Sequence, residues 1–296
     1  MVQLLRILLP LSIGLTVFAT VLTTGREDGQ WLMRHPRRLA ASVFSIQVVM
    51  PLIALAMAAL FELEPAVKVA LVALSVSPVS PLIPRTVAKA GGRGSYAIGL
   101  LFLTAVLSIF TVPVAVHAVG AFFAMNVDVE TRAIVPAILM TVLAPVIAGA
   151  LARALLPTRA ARVARAAQAA GGALLLLALV PMLWLTWRGM LALVGNGTLA
   201  AVVVWVGGGL VVGHLLGGAQ QEDRTVLALS TSGRHPAVAV AVGAAAAPEL
   251  RSVIAAVLLY LVVSMVAAQL YARWSRRGRA VPSKVGIGAA PIPKLP

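Results

Sequence analysis

Polar positions in this chain do not recur at the spacing of a half-buried strand or an amphipathic helix. They collect in short connections between long apolar runs. About 20 consecutive apolar residues are what a helix needs to cross the hydrocarbon core of a bilayer. Nine such runs can be drawn, over residues 4–23, 39–61, 66–88, 95–119, 132–155, 168–188, 197–217, 224–246 and 251–273. The pattern predicts an all-α membrane protein with nine transmembrane helices. A transmembrane domain over 1–275 is followed by a basic tail, 276–296, whose Pro/Gly-rich sequence GRAVPSKVGIGAAPIPKLP predicts disorder. The basic start of that tail suits anionic lipid. A cleaved signal peptide is the alternative for the first run. Its charged start is only Arg6, and no small-x-small site follows.

Composition narrows the classes. Apolar residues make up 60% of the chain and charged ones 11%, with a mean hydropathy of +0.99. An ordinary soluble domain carries about 25% charge, so a water-soluble core-and-shell protein and a disordered chain are both excluded. The absence of cysteine excludes disulfides, thiolate metal sites and a cysteine nucleophile. The net charge of +15 does not imply nucleic acid as a partner, because no basic helix with interleaved aromatics is present. The charge instead follows topology. Eighteen of the 24 basic residues fall in connections on one side of the nine-run pattern, among them Arg34, Arg37, Arg38, Arg85, Lys89, Arg93, Arg159, Arg162, Arg165 and the tail. Five fall on the other side, and Arg234 alone lies deep in a run, away from its ends. Basic residues accumulate on the cytoplasmic side. The expected placement is therefore a plasma membrane (a bacterial inner membrane), with the N-terminus outside and the C-terminus in the cytoplasm.

An internal repeat singles out two runs. The third contains ALSVSPVSP, residues 73–81, and the eighth contains ALSTSGRHP, residues 228–236. Both read A-L-S-x-S-[PG]-x-x-P, 155 positions apart. Pro78, Pro81 and Pro84 interrupt the first helix; Gly233 and Pro236 interrupt the second. A proline inside a helix removes a backbone hydrogen bond. Lipid cannot replace it, so the break must face protein or a water-filled cavity. Two breaks at matching places in two halves of opposite orientation predict an inverted repeat of spans 1–4 and 6–9, with the broken spans 3 and 8 crossing near the midplane.

Arg234 is predicted to sit at that crossing. The nine acidic residues all lie in connections or at span ends, so no carboxylate is available to pair with it. Its partner must be carbonyls, water or a bound anion. An anion is one reading; the other is that Arg234 clamps unwound carbonyls and holds the crossing together. His235 is a candidate hydrogen-bond donor to substrate, a proton carrier or a packed structural histidine. Ser77, Ser80, Ser230 and Ser232 line the breaks and complete the candidate substrate-binding set. Gln47, the one amide inside span two, must reach another polar group, and the breaks are the expected target. Thr104 and Ser108, one turn apart on span four, could add hydroxyls. His117 and His214 lie near span ends and are expected at the interface, with Trp184, Trp187 and Trp274. No catalytic set is indicated. STSG beside a histidine lacks the leading Gly of a hydrolase elbow and any group to orient the His. No metal site of thiolates or midplane carboxylates is present. A binding-only sensor remains a second alternative.

Four stretches carry a resemblance. RHPRRLAASVFSIQVVMPLIAL (34–55), ALSVSPVSPLIPRTVAKAGG (73–92), LTAVLSIFTVP (103–113) and ALSTSGRHPAVAVAV (228–242) are similar to the bile acid:sodium symporter family. The likeness runs over nearly the whole length and matches the nine-helix form. It implies a multi-pass symporter fold in which a panel of spans one, five and six rocks against a core of spans two to four and seven to nine. It implies transport of organic anions coupled to sodium ions, with no other cofactor. The implied ion-binding pattern is matched by Gln47 and Thr104, while Thr231 falls in the second ion-binding stretch. The family's Ser-Asn pair corresponds here to Pro81–Leu82. Its acidic residue falls in Ser230–Ser232, and its following Asn is His235. These departures, with Arg234 alongside, make sodium coupling a doubtful expectation for this chain. A proton-coupled or uncoupled anion carrier is the alternative within the same fold.

Overall fold

Prolines open several of the helices, where their missing N–H is not needed and their fixed φ suits the first turn. The computed structural model describes residues 2–23, 30–122, 144–195, 197–246 and 252–277, and regular structure among them is helical throughout. The order is α1 (Val2–Thr23), α2 (Pro36–Leu60), α3 (Pro65–Val76), α4 (Ile83–Ala90), α5 (Gly94–Phe122) and α6 (Ala144–Leu155). After these come α7 (Ala160–Val194), α8 (Thr198–Leu216), α9 (Gln221–Ser232), α10 (Pro236–Ala246) and α11 (Ser252–Arg277). Helices α2, α7, α8 and α11 are long and apolar enough to cross a membrane, and α1, α3, α5 and α6 contain shorter apolar helical stretches. Residues 132–143 of the fifth expected run, the side chain of His117 and the tail beyond Arg277 lie outside the described residues.

Three differences from the sequence reading have physical causes. Helix α7 is 35 residues long, where a run of 168–188 was expected. Hydropathy marks only the apolar part, but the preceding AARVARAAQAA is rich in Ala and Arg, both strong helix formers, so the helix continues past it. Span two changes register within itself. Phe44–Val49 is a π-helical turn, with the Met50 N–H donating to Ser45 O, five residues back. Pro84 does not rupture a helix; it lies in the first turn of α4 and helps to start it.

Helix α1 packs along α7 and against α6, and α7 also meets α11. The two broken segments interleave: α3 packs on α10, and α4 packs on α9. One buried cluster gathers Met50, Val67, Leu71, Trp205, Val257 and Tyr260; another gathers Ile46, Ile83, Tyr96, Leu100, Leu227 and Leu229. Helices α8 and α9 approach unusually closely along Gly209, Gly213 and Gly217. A Cβ at Gly213 would stand 2.5 Å from Ala228 Cα, and one at Gly217 2.4 Å from Arg224 Cα. Glycines at every fourth position permit this backbone contact.

Connections that the charge pattern assigns to one side meet at one end of the molecule. The buried Asp223 accepts from Arg93 Nε at 2.9 Å and pairs with Arg38 at 3.2 Å. Arg93 also reaches Gln220 at 2.7 Å and stacks over Trp31. Arg276 donates to Lys89 O at 3.1 Å. Connections assigned to the opposite side meet as well: Ser252 donates to Glu64 at 3.1 Å.

Candidate functional site

A break inside an apolar bundle frees backbone groups that must be satisfied locally. At the first break, α3 ends at Val76 and α4 begins at Ile83; at the second, α9 ends at Ser232 and α10 begins at Pro236. Between these ends the two strands of chain run extended and antiparallel, with Val79 opposite Arg234. Ser80 N donates to Gly233 O at 3.0 Å, and His235 N donates to Pro78 O at 2.9 Å. The remaining donors of the first break are also met. Ser77 N reaches Leu74 O, Ile83 N reaches Ser80 O, and Val79 N reaches Thr104 Oγ1 at 3.1 Å. Leu82 N reaches Ser80 Oγ at 3.4 Å. In the second break, Arg234 N donates to the Tyr260 hydroxyl at 2.5 Å, which donates onward to Ser232 O at 2.9 Å. Gly233 is required by close approach: a Cβ there would stand 2.3 Å from Ile83 Cδ1.

Arg234 is 1% exposed. Of the partners open to it, it takes carbonyls. Nη1 donates to Ser77 O at 3.2 Å, and Nη2 donates to Ile46 O at 2.7 Å. Neither carbonyl has a helical donor. In the π register Ile46 O would be served five residues on, at Pro51, which has no N–H. Ser77 lies past the end of α3 in extended chain ahead of Pro78, so no helical turn follows to serve its carbonyl. The guanidinium thus ties the second break to the first and to the π turn of α2. Its Nε has no partner among the described residues.

His235 is 2% exposed and caps α10, its Nδ1 accepting from Val238 N at 3.4 Å. A ring nitrogen that accepts is unprotonated, so in the neutral ring the proton resides on Nε2. That Nε2 is buried without a partner. His235 faces a cavity of about 200 Å³ between the crossing, α1, α7 and α11. The polar side chains in its wall are Ser12, Thr16, Ser80 and His235; the rest of the wall is apolar, including Leu175, Leu179, Val257 and Leu261. A second cavity lies further along the same two helices, walled by Thr20 and Thr23 of α1, Arg85 of α4, and Arg165 and Gln168 of α7.

The candidate residues therefore separate. Ser80 and His235 line the cavity at the crossing, whereas Arg234, Ser77, Ser230 and Ser232 do not. Ser77 donates to Ala73 O and Ser232 to Ala228 O, each within its own helix, and Ser230 Oγ is buried without a partner. Ser232 bonds back to its own helix, while His235 Nδ1 caps α10. Gln47 does not reach the breaks; its amide donates to Thr111 Oγ1 at 3.3 Å, because the π turn aims it at α5. Thr104 caps the first break, and Thr231 pairs with Ser45 at 3.3 Å. Ser108 bonds back to Ala105 O. His214 meets the Tyr271 hydroxyl at 2.8 Å, and Trp184, Trp187 and Trp274 are exposed, as interfacial residues would be. Tyr260 and Thr111 had no sequence signal beyond being polar residues inside apolar runs. Ile46 O had no sequence signal either, because in an unbroken α-helix Pro51 would free Gln47 O, and only the π register moves the loss to Ile46.

The family model described as the sodium bile acid symporter family matches residues 9–205, two thirds of the chain. The chain belongs to the sodium bile acid symporter family. With its apolar helices, membership makes it a multi-pass membrane protein of a transporter family. The match takes in the first break and stops short of the second. None of the curated proteins compared with it matches. Sodium, which the family name implies, does not fit the donor set here. The Ser77 and Ile46 carbonyls, which a bound cation would use, face a guanidinium instead.

Proposed function

We propose that this sodium bile acid symporter family member is a secondary carrier for a small, largely apolar organic anion, working by alternating access. The observation that supports this most is the apolar chamber set against the crossing, with His235 Nε2 turned to no protein partner. An apolar ligand body would fill the chamber. Its acid group would accept from His235 Nε2–H beside Ser80, near the first turn of α10, whose dipole favours negative charge. The chamber's 200 Å³ is below the ~300–1,000 Å³ common for ligand pockets, which supports a small solute in this conformation.

The proposed architecture has nine spans in an inverted repeat. Helices α1, α6 and α7 are the panel, and α2–α5 with α8–α11 are the core. The crossing, tied by its own hydrogen bonds and by Arg234, would move with the core as one body. The chamber lies between panel and core, where rocking would expose it to one side and then the other. Arg85 and Arg165 stand in the proposed cytoplasmic half of that seam and would draw anions toward it. The orientation proposed is N-terminus outside, in a plasma membrane.

The test is uptake of labelled isovalerate, benzoate and taurocholate into proteoliposomes. We expect saturable uptake of at least one of the smaller acids, and a loss of about tenfold or more in His235→Asn, which keeps an acceptor for the α10 cap but withdraws the ring donor. Absence of uptake for all three, or unchanged uptake by His235→Asn, would reject the assignment.

A further inference from the structure

We infer that Arg234 is the resident cation of the crossing, a covalently held substitute for an exchangeable metal ion, so that this carrier works without sodium. The consequence for transport rests on the carrier reading above; the site itself does not. Three features of the chain converge on it. Two carbonyls, Ile46 O, whose π-register donor would be Pro51, and Ser77 O, freed where the chain turns extended after α3, point at one place. Such a pair presents partial negative charge in a region that water does not reach, and a cation there satisfies both. The guanidinium supplies that cation at 3.2 and 2.7 Å, from a residue that is 1% exposed.

The surroundings suit one positive charge and not two. Neighbouring side-chain oxygens include the neutral hydroxyls of Ser45, Thr231, Thr104 and Tyr260, each engaged in a hydrogen bond. The described acidic residues Glu62, Glu64, Glu222 and Asp223 lie in connections or at helix ends. A metal ion added beside the guanidinium would meet like charge with no carboxylate to offset it. Arg234 also joins three elements at once, α2, the first break and the second break, which is how a coordinated ion would cross-link them.

The experiment melts detergent-purified wild type, Arg234→Gln and Arg234→Lys in sodium chloride and in choline chloride of equal ionic strength, with and without millimolar guanidinium. Anything that binds the folded state raises its melting temperature by mass action. Wild type and Arg234→Lys are expected to melt at the same temperature in both salts. Arg234→Gln is expected to melt lower and to recover part of the loss with guanidinium. A higher melting temperature of wild type in sodium than in choline would overturn the inference, because it requires a metal site beside the guanidinium. So would an Arg234→Gln protein that guanidinium does not stabilise. If Arg234→Gln does not fold, Arg234→Lys decides: sodium-specific stabilisation of that variant overturns the inference. Wild-type proteoliposomes should take up isovalerate or benzoate, whichever is carried, equally in sodium and choline. Failure of uptake of both acids and of taurocholate in both salts counts against the carrier reading and leaves the melting result standing.

Discussion

Replacing Tyr260 with Phe removes one oxygen and changes nothing else in shape. That oxygen accepts the Arg234 N–H at 2.5 Å and donates to Ser232 O at 2.9 Å. Tyr260 is fully buried, edge-on to Trp205, so water cannot take its place without opening the core. The substitution would orphan one donor, and an acceptor whose helical partner at position 236 is a proline. Leaving a buried polar group unsatisfied costs about 1–3 kcal/mol. With two groups affected, the expected loss is about 2–6 kcal/mol. Side-chain hydrogen bonds between membrane helices are worth only about 0.6 kcal/mol on average, because the separated helices find other partners. An N–H inside a fixed break has no such alternative, and this distinction sets the test. Reversible unfolding of wild type and Tyr260→Phe in mixed detergent micelles measures the difference. A loss near 0.6 kcal/mol or less would refute the argument that the breaks depend on full backbone satisfaction.

Asp223→Asn removes the carboxylate shared by Arg38 and Arg93. Both arginines keep partial access to water, so the cost should be about 1–3 kcal/mol rather than the 3–5 of a wholly buried pair, read from the same unfolding experiment. Gly213→Val would drive a side chain into the Ala228 backbone and should separate α8 from α9, costing ~3 kcal/mol or more and lowering the yield of folded protein on size exclusion. Gly207→Ala, where a Cβ meets nothing within 4 Å, is the control and should be neutral.

The hinge points of the fold could be read from residue order alone. Two serine-rich strings, each ending in proline, placed both breaks, and an arginine with no acid in reach placed the contact between them. What the strings could not supply was the identity of the partners. A carbonyl is present at every residue, so its availability depends on which donors are missing. Only the pairing of Ile46 with Pro51 in π register makes that one free, and hydropathy does not see register. Gln47 was placed at the breaks on the assumption of an unvarying α turn, and the same π segment turns it toward Thr111. Tyr260 lies on a helix that reads as an ordinary span; its role follows from where α11 packs. Arg234 was legible as a charge in need of neutralisation. In the structure that charge meets two carbonyls, those of Ser77 and Ile46.

A positive charge bolted to the polypeptide cannot be loaded on one face of the bilayer and discharged on the other. On the reading that Arg234 fills that role, no sodium gradient runs uphill uptake. Unless a proton travels in sodium's place, the cargo would answer only to its own gradient and to the voltage. For a monovalent anion the voltage term is about 2.3 kcal/mol per 100 mV, and an interior-negative cell pushes such an anion outward. A device built this way is better suited to venting an acidic metabolite than to hoarding one.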